Sequence, residues 1–199
     1  MIKLTIKDKE FNIADEWSDV NFGQYIDILN IQNDTWQDLE KSIKMIAALG
    51  DKPAELEEAL YELDIEDFQA LSESMKWINT EFKAEADKAV KKDKFEIDGK
   101  QYVIKKNYNK LTLGEMVSVE EMLKNPNYNH QEIALGILLR EVVDGKEKPF
   151  NEEDFFYVLN HLKYKINLVE VYNYITFFLS GDKTSTTNNS RGFSITKMK

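Results

Sequence analysis

The feature that most limits what this chain can become is a segment that occurs twice. Leu4 to Tyr25 reads LTIKDKEFNIADEWSDVNFGQY, and Phe95 to Met116 reads FEIDGKQYVIKKNYNKLTLGEM. A constant offset of 91 residues pairs Leu4 with Phe95, Ile6 with Ile97, Phe11 with Tyr102, Ile13 with Ile104, Trp17 with Tyr108, Val20 with Leu111, Phe22 with Leu113 and Gly23 with Gly114. Nearly every pair is apolar with apolar. In each copy, apolar residues alternate on both sides of a short polar turn, which predicts a β-hairpin. The turns are Lys7-Asp8-Lys9-Glu10 and Asp98-Gly99. The second is the stronger signal, because a type I′ turn needs positive φ at both central residues. A two-stranded hairpin is marginal in water. Each must therefore pack on helices or on the other hairpin, and a shared four-stranded antiparallel sheet is one solution.

Each hairpin is followed by a helix-start signal. Asn21-Phe-Gly-Gln24 and Thr112-Leu-Gly-Glu115 both have capping-box spacing, with Val20 and Leu111 placed to staple onto Tyr25 and Met116. Gly23 and Gly114 fall in the first helical turn, where glycine costs about 1 kcal/mol against alanine. A close approach of the helix to its hairpin or to Trp17 and Tyr108 accounts for both. The first helix is predicted to run to about Ile31. A second opens at Thr35 and buries Leu39, Ile43, Ile46, Ala47 and Leu49. A short one covers Ala54 to Leu63, and Asp64 caps a long one that carries Phe68, Leu71, Met75, Ile78 and Phe82 to about Lys91. In the second copy, Asn129-His-Gln-Glu132 opens a helix that buries Ile133, Ile137, Leu138 and Val142 and stops at Gly145. Asn151 to Phe155 aligns with Asp64 to Phe68 at an offset of 87, and the short helix has no counterpart. Lys165 to Leu179 is the most apolar stretch. It reads as a helix buried on most sides, with a strand as the alternative.

The expected fold is thus α+β and helix-rich. Two tandem repeats, residues 1–91 and 92–181, each carry a hairpin and three or four helices. Residues 182–199 form a polar, flexible linker and a basic tail. In that tail Arg191, Phe193, Ile195, Lys197 and Met198 are the predicted partner-binding residues. Their strand-like alternation suits addition to a partner's sheet edge, or to an acidic neighbour of the same kind.

Charge narrows the partners. The net charge is −10, and Lys183, Arg191, Lys197 and Lys199 against Asp182 give the tail +3, leaving −13 on residues 1–181. Such a body repels a phosphate backbone, so no direct nucleic-acid contact is expected. There is no cysteine, which excludes disulfides, thiolate metal sites and a Cys nucleophile. No run of about 18 uncharged apolar residues exists, so no membrane span is expected. His130 and His161 each lack a second ligand at metal spacing. No nucleophile elbow, zinc-protease helix or P-loop appears. Glu55-Glu57-Glu58 and Glu152-Glu153-Asp154 read as solvated charges at helix N-termini, favoured by the dipole. Arg140 and Arg191 are the only arginines, too few for a typical phosphate site. No catalytic residue, cofactor or metal ligand is assigned, although a carboxylate pair for hydrolysis leaves no local signature.

The pattern carried by Leu4, Ile6, Lys9, Phe11, Ile13, Trp17, Val20, Phe22, Gly23, Gln24 and Tyr25 resembles small proteins of tailed bacteriophages, including large phages of gut Bacteroidetes. The resemblance covers the start of each repeat. It implies a non-enzymatic virion or tail-assembly role, with other phage proteins or further copies as partners and the virion or host cytoplasm as location. It transfers no functional residue. The alternative is an acidic phosphate mimic that inhibits a host nucleic-acid-binding protein.

Overall fold

The computed structural model describes residues 1–79, 82, 92–105 and 111–180. Both hairpins form. Strand β1 (Ile2–Ile6) pairs antiparallel with β2 (Lys9–Ile13), and β3 (Lys94–Ile97) with β4 (Lys100–Ile104). Leu4 faces Phe11 as Phe95 faces Tyr102, and Ile6 faces Lys9 as Ile97 faces Lys100; the offset of 91 carries the whole second register onto the first. The central turn residues are left-handed in both, at φ 46° and 66° for Lys7-Asp8 and 53° and 74° for Asp98-Gly99. This is the type I′ geometry that matches strand twist.

The hairpins do not share a sheet. After helices α1 (Phe22–Asn33) and α2 (Asp38–Ala48) the chain returns to β2, where Ala14 N–H donates to Leu49 C=O at 3.1 Å and Asp51 N–H to Asn12 C=O at 3.0 Å. After α5 (Leu113–Leu123) and α6 (His130–Leu138) it returns to β4 in the same way, and Lys105 N–H donates to Leu138 C=O at 2.8 Å. There the halves part. In the first, Pro53 has no N–H for a ladder and instead opens helix α3 (Pro53–Leu60). In the second, the ladder continues as β5 (Leu139–Val143), turns at Asp144-Gly145 and ends in β6 (Lys146–Glu147). The result is one sheet of order β3-β4-β5-β6 beside the isolated β1-β2 pair. The helix expected to run to Gly145 therefore stops at Leu138. The β-branched Val142-Val143 followed by Asp-Gly is a hairpin signal, and Gly145 closes a turn rather than a helix.

Helices α4 (Ile65–Ser74) and α7 (Glu152–Asn160) are capped by Asp64 and Asn151, and each runs into a 3₁₀ turn, Lys76–Asn79 or Leu162–Lys165. The long helix expected past Ser74 breaks because Met75 N–H is shared between the Leu71 and Ser72 carbonyls; the tighter turn keeps Met75 and Ile78 on the core. Helix α2 begins at Asp38 rather than Thr35, with the extended Gln37 as its N-cap residue. The apolar stretch after Lys165 is helix α8 (Leu168–Ser180) and not a strand. All three expected capping boxes close, at Asn21, Thr112 and Asn129. Tyr108, the repeat boundary near residue 91 and the tail lie outside the described residues.

One main core draws on both halves, from Phe11, Ile13 and Ile26 to Leu138, Val171 and Ile175. The joint is at the start of α1. Phe22 N–H donates to Ile166 C=O at 2.8 Å, and Leu168 N–H donates to Val20 C=O at 2.9 Å. Asn21 and Asn167 thus stand opposite each other, and each also caps its own helix start. Beside them the Tyr164 ring lies on Gly23, where an added Cβ would sit 2.3 Å from the ring. Glycine is needed there, but against the other half of the chain rather than the hairpin or Trp17. Gly23→Ala is therefore expected to lower stability by about 1–3 kcal/mol through overpacking, read as a lower urea midpoint. An unchanged midpoint would contradict the close approach.

Candidate functional site

Helix α5 buries one carboxylate, Glu115, and leaves part of its apolar surface outside. Leu113, Met116 and Val117 share one face at i, i+3 and i+4 and are 82%, 42% and 47% exposed. Their counterparts at the offset of 91 are Phe22, Tyr25 and Ile26, all buried. The difference lies in what covers them. Helix α1 is closed over by the 3₁₀ turn Leu162–Lys165, Ile166 and α8. No described segment takes the same place beside Thr112. An added Cβ on Gly114 meets nothing within 4 Å among the described residues, so none of them accounts for this glycine by packing. Met116, expected to staple, is exposed.

The opposite face holds Glu115 and Val119, 7% and 4% exposed. Glu115 closes the capping box by accepting the Thr112 N–H at 2.7 Å. Its other oxygen accepts from Arg140 Nη2 at 3.2 Å and faces Lys105 Nζ at 3.5 Å. Arg140, on β5 and 4% exposed, lies over the Phe150 ring at 5.0 Å. Burial pushes the Glu115 carboxyl up, but the Thr112 amide and the charges of Lys105 and Arg140 outweigh it and hold it below the ordinary 4.5. Burial pulls the Arg140 guanidinium down, opposed by Glu115, Glu147 and Asp154. This cluster fixes α5 to the sheet, so the outer face is presented rigidly. Alternating β5 residues put Arg140 on the α5 side, which a helix through Gly145 hid from sequence reasoning.

A second polar cluster lies where the halves meet. Tyr164 O–H donates to Asp27 at 3.2 Å, and Lys163 pairs with the buried Glu132. Burial raises the Asp27 carboxyl, with Lys163 and the Tyr164 hydroxyl pulling it back; burial and Asp27 raise the Tyr164 phenol. These groups bridge one another and join the repeats. His130 is exposed at the start of α6, and His161 ends α7 with its ring 5.2 Å from Tyr157. Among the described residues no three His, Cys, Asp or Glu side chains converge as metal ligands. Glu141 and Asp154 line a cavity of about 190 Å³. Lys148 ties them together at 2.8 and 3.3 Å, and its hydrogen bond lowers the Glu141 carboxyl, the reverse of what a general acid needs. The core-averted face of the larger sheet, with Lys94, Glu96, Gln101, Val103 and Glu147, lines an open groove of about 700 Å³. Arg191, Phe193, Ile195, Lys197 and Met198 lie outside the described residues. No helix among the described residues is long and apolar enough to cross a membrane.

Comparisons with protein-family models, with curated proteins and with solved structures each return no match.

Three outcomes follow from this geometry. Gly114→Ala, made in a chain ending at Ser180, should stabilise by up to about 1 kcal/mol, because helix propensity improves and the added Cβ meets no described atom, opposite in sign to Gly23→Ala in the same chain and urea titration. Because the Glu115 pKa is depressed in the folded state, its contribution is full above pH 4.5 and is lost as pH falls through the lowered value. Urea midpoints of wild type should drop below pH 4.5, and Glu115→Gln should flatten that drop. Arg140→Ala should cost about 1–3 kcal/mol, because it removes one donor to the buried Glu115 carboxylate while Lys105 and the Thr112 amide remain.

Proposed function

We propose that this protein is a non-enzymatic structural or assembly protein of a tailed bacteriophage, a scaffold, connector or tail-assembly chaperone that works by protein contact. Its partners are other phage proteins, further copies of itself included, in the virion or the host cytoplasm. The observation that carries the contact reading is α5. A helix pinned through buried charges and showing Leu113, Met116 and Val117 outward holds an apolar surface in a fixed place. Small rigid apolar faces rimmed by charge, here the exposed Glu120 and Glu121, mark contact sites more often than chemistry. The phage setting comes from the resemblance of the repeated hairpin-and-cap motif and from the charge balance, which disfavours nucleic acid.

The test has two parts. Mass spectrometry of purified particles, and of proteins retained on the immobilised chain, should find it with identified capsid or tail proteins. Met116→Lys with Val117→Glu should cut that retention at least about tenfold, since hot-spot contacts are worth 2 kcal/mol or more, with an unchanged circular dichroism spectrum. Retention untouched by the double variant would remove α5 from the account. Absence of any particle protein would remove the phage reading.

A further inference from the structure

We infer that the outer face of α5 is the seat of the chain's own C-terminal segment, Phe193 to Lys197, which docks there as Tyr164 to Leu168 docks on α1. The inference rests on reading that face as a contact surface and names its occupant in the free chain, which a phage partner must displace.

The template is on the first half. Tyr164, Ile166 and Leu168 lie on the α1 start as an aromatic and two aliphatics at alternate positions. The ring fills the space over Gly23, and the Ile166 carbonyl takes the Phe22 N–H. The Leu168 N–H reaches the Val20 carbonyl, and Asn167 caps the next helix. The second half offers the equivalent receptor without a described occupant: Leu111, Thr112, Leu113, and Gly114 with open space above its Cα. The tail offers the equivalent ligand. Phe193-Ser194-Ile195-Thr196 repeats the order aromatic, polar, isoleucine, capping residue of Tyr164-Lys165-Ile166-Asn167. One mismatch is matched on both sides. The Tyr164 hydroxyl is held by Asp27, whose counterpart on α5 is Ser118, and the tail ring is a phenylalanine with no hydroxyl to hold. Lys197 stands where Leu168 does. Its stem can lie on apolar surface, as the Leu168 side chain does.

Chain length favours the same molecule over a second copy. Phe178, near the end of α8, packs against the small core that includes Val119 of α5 and the partly buried Met122 and Leu123. From there 12 residues, 181–192, lead to Phe193. A flexible segment of that length spans roughly 17–21 Å on average, and α5 is about 16 Å long at 1.5 Å per residue. Span and linker agree, the condition under which tethering gives an effective concentration in the millimolar range.

The test uses the full chain with Ser194→Cys, its only cysteine, carrying a nitroxide. Amide signals of Leu113 to Val117 should be broadened in the isotope-labelled, spin-labelled molecule. They should stay sharp when isotope-labelled protein without the nitroxide is mixed with spin-labelled protein without the isotope. Adding Gly114→Ala, whose Cβ would enter the ring's place, should restore the signals, as should Phe193→Ala. Sharp signals in the first sample, equal broadening in the mixed sample (a second copy's tail), or broadening that survives Gly114→Ala would each overturn the inference. Such a failure leaves the contact reading itself to the Met116 and Val117 double variant, which tests the face without the tail.

Discussion

The union of the two halves hangs on two hydrogen bonds that run in opposite directions across the joint between them. Phe22 N–H to Ile166 C=O and Leu168 N–H to Val20 C=O join the starts of two helices. The first four N–H groups of a helix have no partner within it. Here one such donor from each of two helices is satisfied by the loop before the other. An unmet buried donor would cost about 1–3 kcal/mol, and Phe22 and Leu168 are both fully buried. The joint therefore converts a cost shared by all helices into a specific attachment. It also explains why the start of α1 is buried while α5, built from the same motif, leaves Leu113, Met116 and Val117 exposed.

The two hairpins show what repetition transfers and what it does not. Register, turn and inward residues carry over unchanged, because they are settled within a dozen neighbouring residues. The first return to the hairpin carries over too, as the paired bonds of Ala14 and Lys105 show. The divergence is local and chemical. Pro53 cannot donate to a ladder, whereas Val142 and Val143 favour one, so the same return leads to a helix in one half and to two more strands in the other.

This bears on how much could be read beforehand. The helix starts at Asn21, Asp64, Thr112, Asn129 and Asn151 were legible, because each N-cap signal is carried by a few adjacent residues. The signal for the β5–β6 hairpin is ambiguous, since Ile133 to Leu138 set a helical period and Asp144-Gly145 serves equally as a helix stop or a turn. The site itself was not legible. Leu113, Met116 and Val117 match Phe22, Tyr25 and Ile26 in character, and nothing local says that one set is covered and the other left open. That depends on where residues 162–180 lie, a tertiary fact. Gly114 stands out in the sequence, but its meaning lies in the contrast with Gly23, where the ring is present.

The central claim is that the first repeat is completed by the second through the reciprocal bonds at Asn21 and Asn167, and its most direct test is native-state amide hydrogen exchange. The Phe22 and Leu168 amides should share one opening free energy, equal to that of core amides such as Ile26, because neither bond can open without separating the halves. Exchange of either amide at the rate of an exposed helix end, or at two unrelated rates, would contradict the account.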